Sequence, residues 1–266
     1  MQFIKTGGLA KILMFLAILS APMLFPAAVA QAQNAEALAH WTRVLGAFVN
    51  DQGQVDFQRL AKNPADLNAF VDYIAKVSPE SAPALFPTRE STLAYHINAY
   101  NALSMYNVID SGIPKSLSGL RKVWFFGFKK FPVGGKAMSL FAYENDVIRP
   151  MGDARIHFAL NCMAVGCPRL PTAPFMTQYL DKQLDREARR FFAEPRNLEL
   201  VLATKTVRLP EILKFYQEDF LRHSPNLIAY VSQYTLRTIP EDYQVEFIDY
   251  DWTVNVDRAY VPRLQR

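Results

Sequence analysis

The spacing of the apolar residues changes along the chain, and this change is the strongest constraint on the fold. Apolar residues three or four positions apart predict helices over residues 36–49, 64–77 and 90–109. Short extended runs around turn residues predict a hairpin or two short strands at 134–135 and a hairpin over 198–209. Helices followed by mixed strands and helices are typical of an α+β domain. We therefore expect a helical N-terminal half packed on a small, mainly antiparallel sheet.

Three further elements are predicted on either side of the segment that contains the cysteines. Ser139 is a suitable N-cap for a helix that continues to Ile148. Apolar residues at helical spacing predict another helix over 177–192. An alternating run predicts a final strand over 243–248.

The N-terminus predicts export. Lys5 and Lys11 precede an apolar run over residues 12–24. Small residues at 28–30 form a suitable cleavage site after this run. This pattern predicts a secretory signal peptide over 1–30 and a single mature domain over 31–266. The apolar run is short and interrupted by proline, so we expect no stable membrane insertion after cleavage. An uncleaved anchor is the alternative, and the expected location is periplasmic or secreted.

The charge balance bears on the class of partner. Removal of the predicted signal peptide takes away two of the 29 basic residues and none of the 25 acidic ones, which leaves a net charge of +2. The basic residues are scattered along the chain, a pattern that does not favour a nucleic-acid interface. We therefore expect no nucleic-acid partner, and no pattern indicates a cofactor.

The segment 155–168 contains both cysteines and one of the four histidines. Its apolar run over 156–162 predicts a strand that ends in a turn. Alternate side chains of a strand face opposite sides, so His157 and Cys162 would point apart, and the turn could bring Cys167 back toward His157. A thiol beside an imidazole is the simplest apparatus of thiol catalysis, because the imidazole takes up the proton.

Two other interpretations use the same residues. Cys162 and Cys167 could form a disulfide that closes a small loop, worth about 2 kcal/mol in the chain-entropy model, with His157 in a structural role. The three side chains could also bind zinc. The sequence has no second pair of ligands at the usual zinc spacing, so we predict no metal site.

Two asparagines lie in the predicted helix 90–109. Asn98 and Asn101 are three positions apart and share a helix face. Asparagine is a poor residue for a helix interior, so this spacing indicates specific hydrogen bonds. The amides could be buried and bind loop backbone, or they could contact a substrate directly.

Four motifs together resemble the family called domain of unknown function 547. The motifs are Ile97-Asn98-Ala99-Tyr100-Asn101-Ala102-Leu103, Tyr143-Glu144 with Ile148-Arg149, Arg155-Ile156-His157-Phe158-Ala159-Leu160-Asn161-Cys162 with Val165-Gly166-Cys167-Pro168, and Tyr250-Asp251-Trp252 with Asn255. The resemblance covers about residues 80–256 in order. It implies a fold similar to the papain and transglutaminase class of thiol enzymes.

The resemblance also implies a Cys/His/acid site for a peptide-like or small amide substrate. It suggests Cys167 or Cys162 as the nucleophile, His157 as the base and Glu144 as the group that orients the base. The residues implied to line or brace the site are Asn98, Asn101 and Asn161. This chain differs from the usual family pattern at Asn145, where a histidine is common.

Two functional hypotheses follow. The first is an exported thiol hydrolase or acyltransferase, in which a thiolate attacks an amide carbonyl and water or an amine resolves the acyl-enzyme. The second is a non-catalytic binding or scaffold module with a structural Cys162–Cys167 disulfide. In the second, aromatic residues such as Trp124 and Phe125 would form a surface for a ligand or partner.

Overall fold

The fold comes from a computed structural model, which describes residues 24–257 of the chain. The α-helices are α1 (Leu24–Phe48), α2 (Phe57–Lys62), α3 (Ala65–Lys76), α4 (Arg89–Asp110), α5 (Leu120–Val123), α6 (Leu140–Ala142), α7 (Leu180–Ala193), α8 (Ile212–Phe215), α9 (Gln217–Leu221) and α10 (Leu227–Ser232). Two π-helical turns continue α5 and α6, over Trp124–Phe128 and Tyr143–Ile148. The 3-10 helices are Pro83–Leu85, Arg149–Met151, Ala154–Phe158, Thr177–Tyr179, Pro195–Asn197 and Leu202–Thr204.

Helix α4 is the buried axis of the N-terminal half, and it confirms the helix predicted over 90–109. A capping box starts it, in which Thr88 and Ser91 each bond the backbone N–H of the other. Helix α3 packs against both α1 and α4. Because α4 is surrounded on most sides, its asparagines are buried together with its apolar residues.

Only residues 24–30 of the predicted signal peptide fall within the described part of the chain. Helix α1 begins at Leu24, so residues 24–30 are helical and continue into the helix predicted over 36–49. The remainder of the predicted signal peptide, residues 1–23, lies outside the described residues. Within the described part of the chain, no helix is both long and apolar enough to cross a membrane.

The strands confirm an α+β fold and divide into two sheets. The hairpin expected at 134–135 pairs β1 (Lys130–Val133) with β2 (Lys136–Ser139) in antiparallel fashion. The hairpin expected over 198–209 pairs β3 (Glu199–Val201) with β4 (Thr206–Pro210), also antiparallel. The final strand, β5 (Gln244–Ile248), lies parallel to β4. Helices α8 to α10 separate β4 from β5, and a connection of that length permits parallel pairing.

The strand predicted over 156–162 is wrong. This run begins as a 3-10 helix, Ala154–Phe158, and continues as irregular chain. The Asp153 side chain accepts the backbone N–H of Arg155 and so caps the helix. A short buried apolar run has no periodicity that distinguishes a strand from a helix. The sequence therefore indicated the burial of this run correctly and its conformation wrongly. The argument from strand parity that paired Cys167 with His157 therefore fails.

Buried apolar residues form two clusters. The α4 cluster centres on α1, α3 and α4, with Trp41 and Leu103 among its members. The Phe158 cluster lies between α7, β4 and the helices that follow β4. Phe158 is fully buried, and its ring centroid lies 5.0 Å from that of Phe191 and 5.8 Å from that of Phe220.

The burial of Phe158 predicts a large cost of truncation. Replacing it with alanine removes the ring that joins the aromatic residues of its cluster, and we expect the free energy of unfolding to fall by about 3–5 kcal/mol. Denaturant unfolding followed by circular dichroism measures this change. The control is Phe128→Ala, which removes a ring that is 66% exposed and should cost no more than about 0.5 kcal/mol. Equal effects of the two substitutions would contradict the prediction.

Candidate functional site

A cavity of about 420 Å³ lies between the α4 cluster and the Phe158 cluster. Its wall is largely aromatic and includes Tyr100, Phe126, Phe141, Phe215, Tyr216, Tyr250 and Trp252. Its polar and charged side chains are Lys122, Glu144, Asn145, Arg149 and His157. Both cysteines also line it. A concave, mostly apolar site with a few convergent polar groups is the usual form of a small-molecule site.

The two cysteines are joined to each other. Cys162 and Cys167 form a disulfide with their Cα atoms 6.4 Å apart, and the described part of the chain has no free cysteine. The backbone N–H of Cys162 donates to Cys167 Sγ at 3.0 Å. The Tyr250 hydroxyl lies 3.2 Å from Cys162 Sγ and 3.0 Å from Cys167 Sγ. Of the interpretations of the two cysteines, the structure therefore contains the disulfide. The disulfide lies in the cavity wall.

The loop between the cysteines is shaped by two residues. Met163 has a positive φ of 68°. Gly166 permits a close approach, because a Cβ atom at this position would lie 2.9 Å from the ring of Tyr250. Its backbone N–H donates to the Asp251 carbonyl at 2.8 Å. The glycine therefore brings the disulfide loop against the C-terminal segment.

His157 is held by a carboxylate on another element. Its Nε2 lies 2.8 Å from Oδ2 of Asp219, which belongs to α9. Its ring stacks on Tyr216 with centroids 3.9 Å apart and planes 17° apart. Nδ1 has no hydrogen-bond partner among residues 24–257. The imidazole is therefore fixed in orientation and leaves one ring nitrogen available.

Asp219 also binds a guanidinium. Arg149 Nε donates to its Oδ2 at 2.7 Å and Arg149 Nη2 donates to its Oδ1 at 3.1 Å. Burial by itself raises the pKa of this carboxyl, but the hydrogen bonds from His157 and Arg149 outweigh burial and hold the pKa well below its usual range. Asp219 is therefore ionised near neutral pH.

The orienting role predicted for Glu144 belongs to Asp219. Glu144 is buried in the π-helical turn Tyr143–Ile148 and lines the cavity, but its Oε2 accepts the Tyr100 hydroxyl at 2.9 Å. Burial, reinforced by the Glu144 carboxylate, raises the pKa of Tyr216. Asp219 lies 62 residues after His157 in sequence, and nothing local to α9 marks it as a partner.

Asn145, the position that differs from the family pattern, supports Arg149. Its Oδ1 accepts Arg149 Nη1 at 2.5 Å, and its Nδ2 donates to the Phe141 carbonyl at 2.8 Å. Both residues line the cavity. Asn145 therefore fixes the guanidinium that fixes Asp219.

Asn98 braces the backbone. Its Nδ2 donates to the Phe175 carbonyl at 2.8 Å, and its Oδ1 accepts the Phe175 N–H at 2.9 Å and the Trp41 indole N–H at 3.3 Å. These contacts match the first of the two roles considered for this residue, in which a buried amide binds loop backbone. Asn98 is not part of the cavity wall as the structure describes it.

Asn101 and Asn161 hold the segment that leads to the cysteines. Asn101 Nδ2 donates to the Ala159 carbonyl at 3.0 Å, and its Oδ1 accepts the Asn161 N–H at 2.7 Å. Asn161 Nδ2 donates to the Pro168 carbonyl at 2.6 Å, and its Oδ1 accepts the Met163 N–H at 2.7 Å. Their amides are occupied by backbone, so they position the cysteines and do not themselves reach into the cavity.

Neutral phenols and a cation complete the site. Burial raises the pKa of Tyr100 and Tyr250, so both hydroxyls stay protonated and act as donors. The Lys122 ammonium lies 3.9 Å from the ring centroid of Trp252, and burial lowers the pKa of Lys122.

Across residues 24–257, no group of three or more His, Cys, Asp or Glu side chains is arranged to hold a metal ion.

Residues 85–192 match the sequence model of a family described as a protein of unknown function, DUF547. This segment, which is less than half of the chain, is similar to the DUF547 family. The match is shorter than the resemblance over about 80–256. It includes His157 and both cysteines, whereas Asp219 and Tyr250 lie beyond it. No curated protein and no solved structure matches the chain.

The contacts of Asp219 predict how stability depends on pH. The folded-state pKa of Asp219 is lowered, so its stabilising contribution is present above the unfolded-state pKa of about 3.9 and is lost as the pH falls through the folded-state value. We expect Asp219→Asn to lower the free energy of unfolding by about 3 kcal/mol at pH 7, because it leaves Arg149 partly unpaired. Denaturant unfolding measured from pH 7 to pH 3 should show this difference shrink below about pH 4.

Asp242 provides the matched control. It pairs with Lys205 on the surface, where both side chains are more than half exposed. Asp242→Asn should therefore change the free energy of unfolding by no more than about 1 kcal/mol. An Asp219→Asn effect of that size, or one independent of pH down to 3, would contradict the role assigned to Asp219.

Proposed function

We propose that this protein is an exported thiol hydrolase or acyltransferase that acts on an amide-type bond. The observation that carries the proposal is that one cavity wall contains both cysteines and a histidine bonded to a buried carboxylate. A nucleophile, a base and a group that orients the base are the parts needed for acyl transfer. Asp219 takes the place in this site that the family resemblance suggested for Glu144.

Cys167 is the better nucleophile of the two. In the dithiol form its sulfur would keep two donors that favour a thiolate, the Cys162 N–H at 3.0 Å and the Tyr250 hydroxyl at 3.0 Å. Cys162 is half-buried and adjacent, so it would serve as the partner that closes the disulfide. The bridge must therefore be reduced once before turnover, by two electrons from an external dithiol, and the hydrolytic cycle then regenerates the thiol without further reduction.

In the proposed reaction, His157 accepts the thiol proton at Nδ1 while Nε2–H donates to Asp219. The thiolate attacks the amide carbonyl carbon, and the C–N bond breaks as the leaving amine takes the proton from His157. Water, deprotonated by His157, then attacks the thioester and releases the acid and the thiol; an amine in place of water gives acyl transfer. Asp219 remains ionised throughout and stabilises the imidazolium.

The oxyanion requires donors beside the nucleophile. Pro168 has no N–H, so the residue after Cys167 cannot supply one. The Tyr250 hydroxyl is suitable, because its raised pKa keeps the proton and it lies next to both sulfurs. A donor placed where negative charge develops typically contributes about a hundredfold or more in rate.

The shape and lining of the cavity suggest a substrate class. The aromatic wall favours an apolar or aromatic side chain, and Lys122 is an exposed cation in the cavity lining. A peptide-like or small amide with an apolar group fits this lining.

Alkylation tests for an activated thiol. After reduction and removal of the reductant, we expect iodoacetamide to label Cys167 with a rate profile whose midpoint lies below the ordinary thiol pKa of about 8.5. His157→Gln should move that midpoint upward, because the ion pair that favours the thiolate is lost. Mass spectrometry locates the label at each pH.

His223→Gln is the matched control for the alkylation test. This histidine is exposed, its Nε2 bonds the Gly152 carbonyl, and it does not line the cavity as described. Its replacement should leave the profile unchanged. The thiol proposal fails if neither cysteine reacts after reduction, or if His157→Gln has no effect on the profile.

Turnover tests the reaction itself. We expect reduced protein to release the fluorophore from at least one member of a panel of N-acylpeptidyl aminocoumarin amides, and oxidised protein to be inactive. Asp219→Asn should lower kcat by roughly a hundredfold with little change in KM, since orientation of the base matters in the transition state. Circular dichroism confirms that the variant is folded at the assay temperature, and Asp242→Asn should retain full activity.

The disulfide favours a second candidate, a non-catalytic binding or scaffold module. A Cys162–Cys167 bridge that persists under reducing conditions would make the cavity a ligand site with a structural brace. In that case ligand binding, measured by calorimetry on the oxidised protein, would survive His157→Gln.

A further inference from the structure

The stretch from Ser111 to Tyr143 has a one-sided charge. Its 33 residues include six basic side chains and no aspartate or glutamate. The basic residues are Lys115, Arg121, Lys122, Lys129, Lys130 and Lys136. The whole chain carries only +4, so this stretch alone exceeds the net charge of the protein. The apparently scattered distribution of basic residues therefore hides a local asymmetry.

The same stretch exposes large apolar side chains. The exposed apolar patch consists of Leu120, Val123, Trp124, Phe128 and Phe141, each of them at least 53% exposed. The first three lie at helical spacing i, i+3 and i+4 and so share one face. Phe128 stacks on Trp124 with centroids 6.2 Å apart. Helix α6, which carries Phe141, packs against the π-helical turn Trp124–Phe128.

This patch is presented by an anchored backbone. Phe125 is 1% exposed, and its carbonyl accepts Asn107 Nδ2 from α4 at 3.0 Å. Phe126 faces the cavity and contacts the ring of Trp252. The neighbours of Trp124 are therefore fixed in the fold while Trp124 itself faces solvent. A contiguous apolar patch rimmed by polar residues marks a docking surface.

We propose that the exposed apolar patch docks on an anionic lipid bilayer, with its aromatic rings at the headgroup boundary and the surrounding cations against lipid phosphates. Charge complementarity selects this occupant. Lys129 is paired with Asp110, but Arg121 and Lys130 have no carboxylate partner in the part of the chain that the structure describes. Trp, Phe and Leu flanked by Lys and Arg are the composition of segments that lie in a membrane interface.

Docking in this way would orient the cavity. Lys122 and Phe141 belong both to the stretch 111–143 and to the cavity wall. The cavity mouth would therefore face the headgroup layer, where substrates attached to lipid or concentrated at the surface would meet it. This inference uses neither the cysteines nor His157, so it stands independently of the proposed reaction.

Vesicle flotation tests the docking surface. The test uses the mature protein purified from the periplasm of an expressing bacterium. Its N-terminus is read by mass spectrometry, because an uncleaved apolar segment 12–24 would itself bind lipid. Vesicles are phosphatidylcholine with phosphatidylglycerol at 3:1, and pure phosphatidylcholine. We expect binding to the anionic vesicles that weakens with added salt. Trp124→Ala with Phe128→Ala should lower the partition coefficient by about tenfold or more.

Two sets of variants separate the patch from other causes. Leu202→Ala with Leu236→Ala removes apolar side chains that are 74% and 102% exposed elsewhere, and it should bind vesicles as the unsubstituted protein does. Arg121→Gln with Lys130→Gln should weaken binding to anionic vesicles and leave any binding to neutral ones unchanged. Cys167→Ser should bind normally, which distinguishes a failure of docking from a failure of the thiol chemistry.

Tryptophan fluorescence locates the contact. Trp124 is 61% exposed, whereas Trp41 is 1% exposed. Anionic vesicles should shift the emission of the protein to shorter wavelength, and Trp124→Phe should lose that shift while it still floats with the vesicles. The proposal is overturned if the protein does not bind anionic vesicles, or if the Leu202 and Leu236 variant loses binding equally. It is also overturned if light scattering shows a dimer that the Trp124 and Phe128 substitutions dissociate, since a second copy would then cover the patch.

Discussion

The carboxylate of Asp219 joins the elements that form the cavity. It is reached by Arg149, which follows the π-helical turn of the N-terminal half, and by His157 on a 3-10 helix beside the Phe158 cluster. A buried carboxylate is tolerated only when it is paired and hydrogen-bonded, and here two partners from different elements meet that requirement. The cavity geometry therefore depends on one ionic cluster, and a change in any member disturbs both the wall and the orientation of the imidazole.

A second constraint comes from irregular backbone in the core. The chain from Ala159 to Pro168 has no regular helix or strand, yet much of it is buried, so its backbone polar groups need partners from outside any ladder. Asn101 and Asn161 supply several of these partners. Helix α4 thus helps to position the cysteines without contacting them through this amide. The buried Asn101 amide bonds the backbone of Ala159 and Asn161, which lead directly to Cys162. This explains asparagine in a helix interior, where its intrinsic propensity is poor.

Sequence patterns predicted the elements whose periodicity is long and clear, such as α4, and the hairpins marked by turn residues. They failed over 156–162, where the apolar run is short and burial on all sides removes the periodicity that distinguishes a strand from a helix. The site was predicted in part. His157 and both cysteines share a cavity wall, but Asp219 was missed because its pairing arises from tertiary packing across 62 residues. Glu144 was assigned the orienting role from the family resemblance, and its carboxylate bonds Tyr100 instead.

The environment of His157 weighs on the choice between a structural and a catalytic role. A histidine that only braces the fold would be expected to engage both ring nitrogens, because buried polar atoms in folded proteins are nearly always hydrogen-bonded. Here Nε2 is bound to Asp219, while Nδ1 has no partner among residues 24–257 and the ring lines a cavity shared with the two sulfurs. A carboxylate that fixes one nitrogen and leaves the other available is the arrangement that a general base requires. The disulfide does not remove this feature, because reduction would change the sulfurs and leave the imidazole already oriented.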